Sequence, residues 1–174
     1  MKKTALFLAL LLTMGMAGCG AQEEETGSDS AGETAQETQE ETEALTVDAE
    51  SKTITVQATA TGNTESSIHL LVNDSGSNAE SAFFTTEAST MDFYDAIVEL
   101  GGIPGNNIPV DAESGTILGS GLDVSIQVDG TDYDTYDLIT ASEEREMDMR
   151  FGGNVALNQE YATGCLLCME SCSV

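Results

Sequence analysis

The sequence predicts an α+β domain, mainly antiparallel β-sheet with one principal helix at about residues 90–101. Three observations carry that prediction: segments that alternate with period two, one segment that switches to the helical period, and turn residues between them. Ile54, Val56, Ala58 and Ala60 alternate with Thr53, Thr55, Gln57 and Thr59. Ile68, Leu70 and Val72 alternate with His69, Leu71 and Asn73, and Leu122, Val124, Ile126 and Val128 with Asp123, Ser125, Gln127 and Asp129. Each reads as a strand with one buried and one wet face, because successive strand side chains point oppositely. Ala49–Lys52 and Asp129-Gly130 read as tight turns, the second leading into a strand over about Asp132–Thr140. Phe93, Ala96, Ile97 and Leu100 instead fall at i, i+3, i+4 and i+7 and share one helical face. Ser89 is placed to cap that helix, with Asp92 in the capping-box position. Gly101-Gly102 ends it, and Pro104-Gly105 prevents its resumption. A second, one-turn helix is expected near Ser142–Glu146.

Residues 1–44 follow different rules. Met1-Lys2-Lys3 is basic, Ala5–Met16 is apolar apart from Thr13 and Gly15, and Ala17-Gly18 precede Cys19. The apolar run falls short of the roughly 20 residues a spanning helix needs, so residues 1–18 read as a signal peptide. Met16-Ala17-Gly18-Cys19 resembles the bacterial lipobox. That resemblance implies lipidation of Cys19 by diacylglycerol and fatty acyl chains such as palmitate, and an anchor on the extracytoplasmic face of the cell membrane. Gly20–Ala44 contains nine carboxylates, no Lys or Arg, and no Val, Ile, Leu or aromatic residue. Such a stretch cannot bury enough apolar surface to offset its ordering entropy, and residues 19–44 read as a lipidated cysteine with a disordered acidic spacer. The globular domain is then 45–164, followed by a cysteine-rich tail at 165–174.

The whole chain has 31 acidic residues and a formal charge of −26; without the signal, only Lys52, Arg145 and Arg150 oppose them. No basic face is available to neutralise phosphates, which excludes nucleic acid as a partner. Contact with the membrane is expected through the lipid anchor alone, since anionic lipid would repel the domain.

Chemistry is sparse. His69 is the only histidine, and its place on the wet phase of a strand predicts a surface residue. Neither a Ser-His-Asp triad, a Cys-His site nor a multi-histidine metal site is expected within one chain. Gly115–Gly121 lacks the Lys of a P-loop and the strand–helix setting of a dinucleotide fingerprint. Asp129, Asp132, Asp134 and Asp137 crowd one segment. As an EF-hand they fail, because Asp137 fills the slot that requires Gly, and a solvated hairpin tip is the simpler account. No catalytic constellation emerges, and an enzyme is the least supported reading.

Cys165, Cys168 and Cys172 are different: C-x₂-C-x₃-C puts three thiols within eight residues of a chain whose other cysteine is Cys19. The last three cysteines of the bacterial ferredoxin run C-x₂-C-x₂-C-x₃-C-P have this spacing, which lets consecutive thiolates wrap an iron–sulfur cluster. Ala162 replaces the first cysteine of that run and Ser173 the proline, so the ligand set is one short. Asp, hydroxide, a small molecule or a second chain's thiol could supply the fourth ligand. Zn²⁺ with three thiolates and a carboxylate, or a Cys165–Cys168 disulfide with Cys172 as resolving thiol, are the competing readings.

Asp92–Gly105 (DFYDAIVELGGIPG), the following hairpin, Met149-Arg150-Phe151-Gly152-Gly153-Asn154 and the cysteine tail together resemble the YdjY-type domain of ferredoxin-like bacterial lipoproteins. The resemblance covers most of residues 45–174. It implies an extracytoplasmic iron–sulfur (4Fe-4S) or electron-transfer protein with Cys165, Cys168 and Cys172 as cofactor ligands, and a pattern that continues past Val174. A redox partner with a basic face would match the acidic surface. The alternative is a non-catalytic ligand- or protein-binding lipoprotein whose cysteines form a disulfide.

Overall fold

The computed structural model describes residues 43–112, 115–141 and 147–173. The expected signal peptide, Cys19, the expected acidic spacer up to residue 42 and the helix expected near Ser142–Glu146 lie outside them. An antiparallel hairpin comes first, β1 (Leu45–Asp48) against β2 (Thr53–Val56). Its turn is the expected one: Asp48 Oδ1 accepts the backbone N–H groups of Glu50 and Ser51, and Lys52 turns the chain at φ 56°. The alternation foreseen over residues 53–60 is split in two, with β3 reduced to Thr59–Ala60 in another sheet.

That second sheet is the centre of the molecule, with strand order β3, β5 (Phe84–Thr86), β4 (His69–Asn73) and β8 (Cys165–Cys168). β4 pairs in parallel with β5 and antiparallel with β8, and β3 pairs antiparallel with β5. Leu70, Leu71 and Val72 are all buried, at 2%, 6% and 0% exposure. A strand covered on both faces has no wet phase, so the period-two reading of residues 68–73 does not hold. Leu70 joins Ile139 and Met149 in the main core, with Phe84, Leu122, Ile126 and Leu167 packed around them. Val72 and Ala82 form a second cluster with Cys165.

Helix α1 (Thr90–Glu99) lies where the 3.6-residue pattern puts it. Ser89 accepts from the Asp92 N–H, Ala96 and Ile97 are buried, and Gly101 takes φ +93° just past the end. Leu122, Val124 and Ile126 are half-buried while Asp123, Ser125 and Gln127 are exposed, as their alternation requires, but Val128, expected on the buried phase, is exposed beside the turn. Strand β6 (Ser125–Val128) turns at Asp129-Gly130, both at positive φ, into β7 (Thr131–Asp134). The strand expected to reach Thr140 stops there because Asp134 caps a single helical turn, α2 (Thr135–Leu138). Asp134 accepts from Tyr136 N–H, and the Asp137 carboxylate accepts from Asp134 N–H in return. Two of the four clustered aspartates are thus engaged in a capping box, and Asp132 accepts from Gln127.

Helix α3 (Val155–Tyr161) was not foreseen. Asn154 caps it, and Ala162 ends it in the left-handed region at φ 50°. Seven residues show too little periodicity to stand out in a sequence. The helix packs on α1 and feeds straight into β8, so the cysteine tail is the edge strand of the central sheet.

Candidate metal centre

Residues three apart on a regular strand face opposite ways, so Cys165 and Cys168 would not converge on an ideal β8. Two irregularities in its pairing with β4 bring them together. Val72 and Leu71 are adjacent, yet they face Cys165 and Leu167, leaving Leu166 as an extra residue on β8. Leu71 and His69 then face Leu167 and Cys168, leaving Leu70 as the extra residue on β4. The result sets His69 directly across from Cys168.

His69 Nδ1 lies 3.6 Å from Cys165 Sγ and 3.9 Å from Cys168 Sγ, and the three potential ligand atoms fall within 4.8 Å of one another. With metal–sulfur bonds of about 2.3 Å and metal–nitrogen bonds of about 2.0–2.1 Å, the S···N edge of a tetrahedral site is about 3.6 Å. The observed separations match that edge. His69, read from the sequence as a surface residue, is half-buried, and the expectation that no Cys-His site could form is overturned. Side-chain phase failed as a guide because β4 is covered on both faces and bulged. The available signal was compositional: a lone histidine in a chain with a tight thiol cluster.

Cys172 lines the same cavity of about 110 Å³ as Cys165 and Cys168 without belonging to the 4.8 Å group. Its segment is held at both ends. Met169 N–H donates to Ile68 O at 2.7 Å, and Asn154 Nδ2 donates to Ser173 O at 3.0 Å. Phe93, Tyr94 and Phe151 line the same cavity, with the Tyr94 and Phe151 rings 5.4 Å apart.

Supporting residues fix the thiols. Buried Asn158 on α3 donates to Cys165 O at 2.7 Å and accepts from Gly164 N–H at 3.1 Å, clamping the start of β8. Asn78 Nδ2 donates to Cys165 Sγ at 3.4 Å. The Cys165 thiol is drawn down to about 5, first by a hydrogen bond from Cys168 and then by Asn78, His69 and Thr163, against the opposing effect of burial. Cys168 is raised, because it holds the shared proton and is buried. One thiol of the pair is therefore ready as an anionic ligand, and a cation would displace the proton from the other.

Comparison with known proteins agrees on the family. The model of the YdjY domain matches residues 45–174. A protein of Escherichia coli (strain K12), named "Uncharacterized protein YdjY", is 35% identical over 178 aligned residues, covering 99% of this chain and 77% of the relative. No solved structure matches. With the domain model spanning the whole globular part, and β8 with its cysteines inside the match, the chain belongs to the YdjY domain family.

Proposed function

We propose that this chain is a lipid-anchored electron-transfer protein of the extracytoplasmic face, built around an iron centre held by His69, Cys165, Cys168 and Cys172. The observation that carries the reading is the approach of His69 Nδ1 to both Cys165 and Cys168 sulfurs, at 3.6 and 3.9 Å. It supplies the fourth ligand that the three-cysteine run lacks. Thiolate and imidazole together suit iron and zinc and disfavour Mg²⁺ or Ca²⁺, which take oxygen ligands.

Bound iron would supply a one-electron couple whose potential follows from ligand type, hydrogen bonds to sulfur and burial. The chain's own residues set the other conditions. Val72 and Ala82 keep water from one side of the thiols, Asn158 fixes the strand that carries them, and the half-open cavity beside Phe151 leaves an approach for a partner. The net charge of −26 suits a redox partner with a basic face. The signal-like residues 1–18 and Cys19 support the tether, and the acidic spacer would give the domain reach from the lipid.

Two occupations are supported by different observations. Ligand atoms spaced like the edge of one tetrahedron favour a single ion. The C-x₂-C-x₃-C spacing, with all three cysteines on one cavity, favours an iron–sulfur cluster. Anaerobic purification of the full chain followed by iron, zinc and acid-labile sulfide analysis separates them. Iron without sulfide means a single ion, and iron with sulfide a cluster. Zinc alone would make this a non-catalytic binding lipoprotein with a structural metal, and no metal after reconstitution would end the reading.

A further inference from the structure

Asn78 stands at the start of a short 3₁₀ turn (Ala79–Ser81), where an Asn side chain ordinarily accepts a backbone N–H. This one makes no capping bond. Its carboxamide instead turns to Cys165 Sγ, 87 residues away in sequence, and donates across 3.4 Å. The backbone around it is arranged to hold it there. Asn78 N–H donates to Thr163 O at 3.3 Å, and its carbonyl accepts from both Ser81 N–H and Ser81 Oγ. The turn that carries it is pressed against the residues just before Cys165. A Cβ added at Gly76 would meet Thr163 O at 2.5 Å and Gly164 Cα at 2.7 Å. Gly164, at φ +70°, has room for no side chain either, since its Cβ would lie 2.6 Å from Gly76 Cα. Two facing glycines thus let two backbones touch, and the contact delivers Asn78 to the sulfur.

We infer that Asn78 is a positioning residue of the proposed metal centre, orienting the Cys165 sulfur and lowering the electron density it gives the metal. The inference rests on the metal-binding reading of His69, Cys165 and Cys168. A neutral N–H donor on a thiolate withdraws charge from the lone pair the metal uses, as outer-shell partners of metal ligands do elsewhere. An Asn that served only the 3₁₀ turn would spend its side chain on that turn.

The test uses the full chain loaded with Co²⁺ under anaerobic conditions, in wild type, Asn78→Leu and Asn78→Asp. Leu keeps the size and loses the donor; Asp keeps size and turn preference and replaces the donor with an acceptor. Both variants should bind one Co²⁺ with the sulfur-to-cobalt charge-transfer band shifted to lower energy. Affinity should fall roughly 10- to 100-fold. A band unmoved in either folded variant overturns the role of Asn78 while leaving the metal site standing. Wild type that binds no Co²⁺ overturns the metal reading itself, and Asn78 falls with it.

Discussion

The imidazole of His69 meets the sulfur of Cys165 across 3.6 Å, although 96 residues separate them in the chain. The contact exists because β4 and β8, the fourth strand and the last, are neighbours in one sheet and each carries an extra residue where they pair. Neither extra residue alone would suffice. Leu166 restores the phase of the two cysteines, and Leu70 restores the phase of the histidine relative to them.

If His69 is a ligand, losing it should cost more than the 10- to 100-fold typical of an outer-shell partner. His69→Ala in the full chain is expected to bind Co²⁺ or Zn²⁺ more than about 100-fold more weakly than wild type in a chelator competition, with unchanged far-ultraviolet circular dichroism. Equal affinity would remove the histidine from the site.

The sheet leaves its own trace in stability. Leu70 is 2% exposed and sits among Ile139, Met149 and the aromatic residues of the main core. Truncation there leaves a cavity that the bulged strand is poorly placed to close. Leu70→Ala should cost about 2–5 kcal/mol in denaturant unfolding of the metal-free protein.

The legible parts of this sequence were those governed by local rules. Ser89, the Phe93–Leu100 stripe and Gly101 specify α1 without help from the rest of the chain, and Asp129-Gly130 specifies its turn. Leu122, Val124 and Ile126 alternate truly because one side of that segment faces solvent. The central strand was misread for a physical reason: burial on both faces erases the period, and Leu71 on the supposed wet phase is as much core as its neighbours. The three cysteines could be found from spacing alone. Their histidine could not, because its approach depends on non-local pairing and on bulges that no short window encodes. Asn78 was equally hidden, since the facing of Gly76 and Gly164 is a tertiary event.

That facing is itself testable. Gly76→Ala forces a methyl group against the Thr163 carbonyl and Gly164 Cα, both backbone atoms that cannot rotate away. Overpacking of this kind costs about 1–3 kcal/mol. The variant should melt at lower temperature and bind metal more weakly, because Thr163 and Gly164 lead directly into Cys165. Wild-type stability in Gly76→Ala would show that the two segments part easily.

Tethering makes a separate prediction, independent of the sheet. With Cys19 acylated, the protein should fractionate with membranes and incorporate labelled palmitate; Cys19→Ser should do neither. Two or more chains are expected on that cysteine, since one acyl chain gives only marginal, reversible binding. Equal labelling of wild type and Cys19→Ser would end the claim.

The thiol pair should also write itself into the pH dependence of the reduced, metal-free protein. Cys165 titrates at about 5 in the folded state, against about 8.5 for a free cysteine. Between those values the unfolded chain binds more protons at this position than the native one, so stability rises with pH. The contribution is complete above about pH 8.5 and is lost as pH falls through 5. Cys168 has the opposite sign: its thiol is raised, so the native state retains a proton that the unfolded state releases, and stability declines above about pH 8.5. Denaturant midpoints should therefore climb from pH 5.5 to about 8 and then fall, while ultraviolet thiolate absorbance shows one step near pH 5. The hydrogen bond from Cys168 is the first cause of the low value, so Cys168→Ala should move that step upward, and Cys165→Ser should abolish it together with the rise in stability. A single step near 8.5 in the wild type would mean that the two sulfurs do not share a proton.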